Sequence, residues 1–180
     1  MARLLLEHDA ALDQPMSNGT TPLFIAAERG HVGVVQLLLE HGAAVDQPDH
    51  HGTTPLCVAA QDGQEAVVRL LLAHRAAVDQ PNNLEYTPLF AAALRGEEEV
   101  ARLLLEGGAA VDRSNGGGYT PLCVAAAVGH RGVARLLLAH GADSSIRVPG
   151  HGTAAEIAGA EGKRSLRPTA EIAALVALLQ

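Results

Sequence analysis

Thr21-Pro22-Leu23-Phe24 returns as Thr54-Pro55-Leu56-Cys57, as Thr87-Pro88-Leu89-Phe90 and as Thr120-Pro121-Leu122-Cys123. Each copy starts 33 residues after the one before, and an eroded fifth, Thr153-Ala154-Ala155-Glu156, keeps the step. A fixed period of this size marks a stacked array of repeats. The phrase is also a helix start. Threonine accepts from the open backbone N–H groups, and proline at the first helical position gives up no hydrogen bond. Ala26 and Ala27 follow Leu23 by about one turn and share its face. Five helix starts in register predict five equivalent units.

Outward from the phrase, a glycine recurs at Gly30, Gly63, Gly96, Gly129 and Gly162. It is expected to end each first helix in a left-handed turn. In the first unit the helices are predicted from Pro22 to Arg29 and from about Val32 to His41, with Val34, Leu37 and Leu38 on one face. Gly42, Gly108 and Gly141 end the second helices, but Arg75 stands there in the second unit. Position 75 is therefore expected to carry backbone strain or to end its helix differently. Leu12-Asp13-Gln14-Pro15, Val45-Asp46-Gln47-Pro48, Val78-Asp79-Gln80-Pro81 and Val111-Asp112-Arg113-Ser114 lie between units. They read as extended segments entering hairpins, with tips at Asn18-Gly19, His51-Gly52 and Gly116-Gly117-Gly118.

Thr-Pro-Leu-x-x-Ala-Ala at this period, followed by Gly30-His31, Leu37-Leu38-Leu39 and Gly42-Ala43, resembles the ankyrin repeat. The resemblance covers nearly the whole chain. It implies an all-α, ankyrin-type helical repeat solenoid with β-hairpin or β-turn fingers, forming a single domain over 1–180. Residues 1–13 read as a partial repeat, because Arg3-Leu4-Leu5-Leu6 aligns with Gln36-Leu37-Leu38-Leu39; a piece of a longer array, or a start placed too late, is expected. Full repeats follow at 14–46, 47–79, 80–112 and 113–145. A divergent C-terminal cap repeat occupies 146–180, with Lys163 to Pro168 lengthening the link between its helices. Arg147, Lys163, Arg164 and Arg167 form its basic cluster, read as a solvated end, with a docking patch as the alternative. The histidine usual in the family after Thr-Pro-Leu is replaced by Phe24, Cys57, Phe90 and Cys123. That alternation of large and small predicts complementary packing between layers.

Composition narrows the function. Aromatic residues are 2% of the chain and tryptophan is absent, which suits thin stacked layers better than one deep core. A net charge of −7 disfavours a nucleic-acid partner. No apolar run reaches the ~20 residues of a membrane span. Cys57 and Cys123 share a register two units apart, too far for a disulfide, and are expected to be buried thiols. An intracellular, cytoplasmic monomer is the matching expectation.

Nine histidines invite a metal or catalytic reading. His8, His41, His74 and His140 share the last turn of the second helix, where an imidazole can satisfy free carbonyls. His31 and His130 share its start and are expected to bond to the adjoining loop. His50 and His51 lie at a finger tip, with no cysteine or carboxylate at zinc spacing. The Gly116–Gly118 run fits no phosphate loop. No catalytic constellation, cofactor, metal or small-molecule substrate is expected.

The resemblance implies that a protein partner docks on the concave side, made by finger tips and exposed positions of the first helices. Carried onto this chain, the candidates are His50, His51, Leu84, Tyr86, Leu94, Arg95, Tyr119 and Val128. The first two units are polar there, while the next two are apolar and aromatic. The expected function is a non-catalytic interaction module or scaffold. The alternative is the targeting or regulatory segment of a larger enzyme, such as a kinase or ubiquitin ligase.

Overall fold

The computed structural model describes residues 12–164 and 177–179 of the chain. Most of the partial repeat, Arg167 and the link through Pro168 lie outside the described residues, as do the side chains of Lys163 and Arg164. The helices come in pairs: α1 Pro22–Glu28 with α2 Val32–Glu40, α3 Pro55–Gln61 with α4 Glu65–Ala73, α5 Pro88–Arg95 with α6 Glu98–Glu106, and α7 Pro121–Val128 with α8 Arg131–Ala139. A further helix, α9, spans Ala154–Arg164. First helices stack in one row, α1 on α3, α5, α7 and α9 in turn, and second helices α2, α4, α6 and α8 stack in another. This is the all-α repeat solenoid expected.

Each first helix starts as its sequence dictates. The hydroxyls of Thr21, Thr54, Thr87 and Thr120 accept from the backbone N–H three residues on, at 3.1–3.2 Å. All four threonines are sealed from water. The fifth start differs. Ala154 stands where proline is expected, and the chain compensates with a reciprocal pair of bonds. Glu156 N–H donates to Thr153 Oγ1 at 3.4 Å, while Thr153 N–H donates to Glu156 Oε2 at 2.9 Å. This is a capping box. The Thr153 N–H and the neighbouring Arg147 hold the Glu156 carboxyl below its usual range. Arg147, a member of the expected basic cluster, lies 3.0 Å from that carboxylate.

The core repeats layer by layer. Leu23, Leu56, Leu89 and Leu122 are fully buried at one register, and Ala27, Ala60, Ala93 and Ala126 at another. On the second helices Val35, Val68, Ala101 and Ala134 are buried together with Leu38, Leu71, Leu104 and Leu137. In α2 the buried face is thus Val35, Leu38 and Leu39, turned from the expected one; Val34 and Leu37 are half-buried. Small side chains let the rows approach closely, so each layer has little thickness and depends on its neighbours. Phe24, Cys57, Phe90 and Cys123 all lie in the core, large and small in alternation as expected.

Polar bonds join successive pairs. The carboxylates of Asp13, Asp46, Asp79 and Asp112 accept from the backbone N–H of Ala44, Ala77, Ala110 and Asp143, each 31 residues on, at 2.9–3.1 Å for the nearer oxygen. The acidic residue read as a turn-former is therefore also a clasp on the next layer. His130 is corrected too. Its Nε2 donates to the Leu94 carbonyl, 3.2 Å away at the end of the preceding first helix, and not to the adjoining loop. Gln64 does the same to the Glu28 carbonyl at 3.2 Å. Gly96 makes room for His130, since a Cβ there would sit 2.6 Å from its ring. His41, His74 and His140 each donate Nδ1–H to a carbonyl one turn back at 2.8–2.9 Å, as expected.

Helix ends follow the glycines with two exceptions. Gly162 was expected to stop a helix but lies within α9; glycine permits a left-handed stop without imposing one. Arg75 takes φ 63°, the conformation that Gly42, Gly108 and Gly141 adopt at the same register. A side chain there costs roughly 1–2 kcal/mol. Arg75→Gly should therefore stabilise the chain by about 0.5–1 kcal/mol, after the extra freedom glycine gives the unfolded state. Urea melts would show a higher midpoint at unchanged slope, and a lower midpoint would contradict the strain.

Candidate partner-binding surface

The fingers take the turn form of the two that were expected. The one β-bridge among the described residues pairs Val148 with Gly152. Elsewhere two backbone bonds close each tip: Gly19, Gly52, Glu85 and Gly118 donate N–H to the carbonyl three residues back at 2.8–3.0 Å. Met16, Asp49, Asn82 and Asn115 donate N–H to the carbonyl four residues on, at 2.9–3.1 Å. The last three of these also brace the tip from inside. Asp49 Oδ1 accepts from His51 and Thr53, Asn82 Oδ1 from Leu84 and Tyr86, and Asn115 Oδ1 from Gly117 and Tyr119, all at 2.8–3.0 Å. A short acidic or amide side chain at this register sets the shape of the finger. In the sequence this register shows only as the 33-residue spacing of Asp49, Asn82 and Asn115.

Glu85, like Arg75, is a non-glycine residue in the left-handed region. The third finger has Leu84-Glu85 where its neighbours carry a glycine at the tip, and Glu85 adopts φ 60°. Gly19, Gly52 and Gly118 sit in the same left-handed conformation. Register alone was a sufficient signal for this second strained position.

The tips are not joined alike. His50 N–H donates to the Asn18 carbonyl at 3.1 Å, and Asn83 N–H donates to the His51 carbonyl at 2.9 Å. Asn83 Nδ2 adds a bond to the His50 carbonyl at 3.2 Å. The first three tips are thus laced together. Among the described residues no hydrogen bond joins the third tip to the fourth. A notch of about 360 Å³ opens there, lined by Leu84, Glu85, Tyr86, Asn115, Gly116 and Gly117 among others.

The candidate residues fall into three places. Leu84 and Tyr86 meet in the notch, Leu84 64% exposed and Tyr86 half-buried with its ring 4.5 Å from that of Phe90. Tyr119 is half-buried in the next gap, its ring 5.5 Å from His151 of the fifth finger. Leu94, Arg95 and Val128 sit at the far ends of α5 and α7, roughly 10 Å along the helix axis from the fingers; Val128 and Arg95 are exposed and Leu94 is half-buried. His50 and His51 expose their rings while their backbones hold the neighbouring tips. His151, which no reading singled out, is the aromatic partner of Tyr119.

A row of helix pairs whose turns project along one edge defines a repeat scaffold with a rigid, extended surface. Sequence comparison makes this specific: the family described as ankyrin repeats (3 copies) matches residues 1–82 and, in a second stretch, 74–148. The chain belongs to the ankyrin repeat family. No curated protein matches it. Ankyrin repeats generally serve as protein–protein interaction modules, and the fold is typically non-catalytic.

Among the described residues no three metal-binding side chains cluster, and no helix is long and apolar enough to cross a membrane. Both cysteines are free and buried. Burial pushes the Cys57 thiol up to about 12, with the nearby Asp49 carboxylate adding to the shift. A thiol is a nucleophile only as its thiolate, so Cys57 is inert at neutral pH. Its raised value favours folding fully below the ordinary thiol pKa. That contribution is lost from about pH 9 upward, where the unfolded chain ionises and the folded chain does not, with a slope of about 1.4 kcal/mol per pH unit. Denaturant melts between pH 8 and pH 11 should show the native chain losing stability more steeply than Cys57→Ala. Parallel curves would contradict the buried neutral thiol.

Proposed function

We propose that this chain is a non-catalytic scaffold that binds a protein partner through its concave face of finger tips and first helices. The observation that carries the reading is the notch, where a largely exposed leucine and a half-buried tyrosine stand side by side on braced turns. Tyrosine on a rigid surface is a favoured anchor, because it brings a large contact area at little cost in entropy. Exposed Val128 and half-buried Leu94 extend the apolar strip along the first helices, with Arg95 at its edge. His50 and His51 flank it on the polar side. The unit limits at 14–46, 47–79, 80–112 and 113–145 belong to the same reading.

The acidic balance of the chain supports a protein over a nucleic acid as partner. Two free thiols support an intracellular, cytoplasmic setting, and a monomeric scaffold is the simplest form of the proposal.

Tyr86→Ala and Tyr119→Ala should each weaken a captured partner by ~2 kcal/mol, the usual threshold for a hot spot. Glu28 is a charged residue at the end of α1 in the polar first unit, and Glu28→Ala should cost less than about 1 kcal/mol, since rim charges are screened by water and salt. Calorimetry on the three variants decides between them, with circular dichroism to show that each is folded. Two tyrosine variants that bind like the native chain, beside a Glu28 variant that does not, would move the hot spot to the polar units.

A further inference from the structure

The notch between the third and fourth fingers is asymmetric in charge. Of the side chains that line it, Glu85 alone is ionisable to a carboxylate; the others are Asn83, Leu84, Tyr86, Asn115 and two glycines. The Glu85 carboxylate oxygens lie beside Gly116, 3.6–3.8 Å from where a Cβ would be. That side of the notch is therefore bare backbone with an anion above it. The third finger also brings Leu84, 64% exposed, and half-buried Tyr86 to the notch. The amide oxygen of Asn115 is already used twice by its own finger. Among the described residues the Glu85 carboxylate has no ion-pair partner, and it stands beside Leu84 and Tyr86 on a chain of net charge −7.

Resting on the scaffold reading above, we propose that the notch receives a basic side chain of the protein partner, arginine before lysine. The aliphatic stem lies along Leu84 and Tyr86, and the cation meets the Glu85 carboxylate. Arginine fits better because its planar guanidinium can stack on the tyrosine ring while donating two parallel bonds to a carboxylate. Long cationic side chains also cover apolar surface with their stems and keep their charge at the rim. The left-handed backbone of Glu85 agrees with this assignment. A glycine would serve the turn without strain, and its replacement by a carboxylate places charge where the neighbouring tips have none.

Selection of a displayed library of short random peptides on the full chain tests the assignment. The enriched sequences should share an arginine or lysine. Replacing that residue by alanine in a synthetic peptide should weaken binding about fivefold, the reach of a well-placed exposed ion pair. Glu85→Gln keeps the shape and the backbone and should weaken the basic peptide by a similar factor. The same variant should leave the alanine peptide unchanged, so that the two losses do not add. Leu84→Ala separates this inference from the scaffold reading. If Leu84→Ala weakens the peptides while they lack a basic residue and ignore Glu85→Gln, the notch binds but the basic side chain is wrong. If neither variant changes binding, or no peptide is enriched, both readings fall.

Discussion

A threonine hydroxyl sealed from water at the mouth of each first helix fixes the angle at which finger and helix meet. At Thr21, Thr54, Thr87 and Thr120 it accepts the N–H three residues on, and proline next to it presets the backbone. Because the group is buried, water cannot replace the bond; losing it costs about 1 kcal/mol per helix. The leucine that follows then has one place to go, the space between adjacent layers. Repeating the same start every 33 residues puts every leucine, every alanine pair and every finger into the same relation with its neighbour. The fifth start shows the constraint from the other side. Proline is lost there, and a glutamate arrives three residues on to close a capping box.

Lateral bonds turn this local rule into an array. Aspartates at 13, 46, 79 and 112 each hold the backbone of the next layer, and Gln64 and His130 each hold the end of the previous first helix. Among the described residues the main helix contacts run within a layer or to the neighbouring layer, as in a one-dimensional solenoid. The fingers inherit their spacing from the helices beneath them. Their differences come from a few local residues: Asn83 laces the third tip to the second, and Gly116-Gly117 leaves the fourth without side chains to fill the gap.

Most of the helical architecture was legible because it rests on single-residue chemistry repeated in register. Thr-Pro, the glycine stops and the strain at Arg75 need no tertiary knowledge. What was missed depends on contacts between layers. Aspartate as a turn-former and aspartate as a clasp are the same residue, and only the neighbour 31 residues on tells them apart. The shift of the buried face of α2 has the same origin, since packing against two neighbours rotates the stripe that one helix alone suggests. Glu85 is a different kind of omission. Its register was visible beside Gly19, Gly52 and Gly118, and the reading attended to the glycines and not to their replacement.

The candidate site was legible as a list of residues but not as a shape. Sequence placed Leu84, Tyr86 and Tyr119 on neighbouring fingers; the structure divides them between two gaps, with Tyr119 against His151 and the other two around a notch. Hydrogen bonds lace the first three tips together and leave the third-to-fourth gap open. Hydrogen exchange by mass spectrometry, on the chain alone and saturated with a selected peptide, tests that account most directly. It predicts new protection confined to residues 82–86 and 115–119. Protection on the second helices α4, α6 and α8, with these two fingers unchanged, would contradict it.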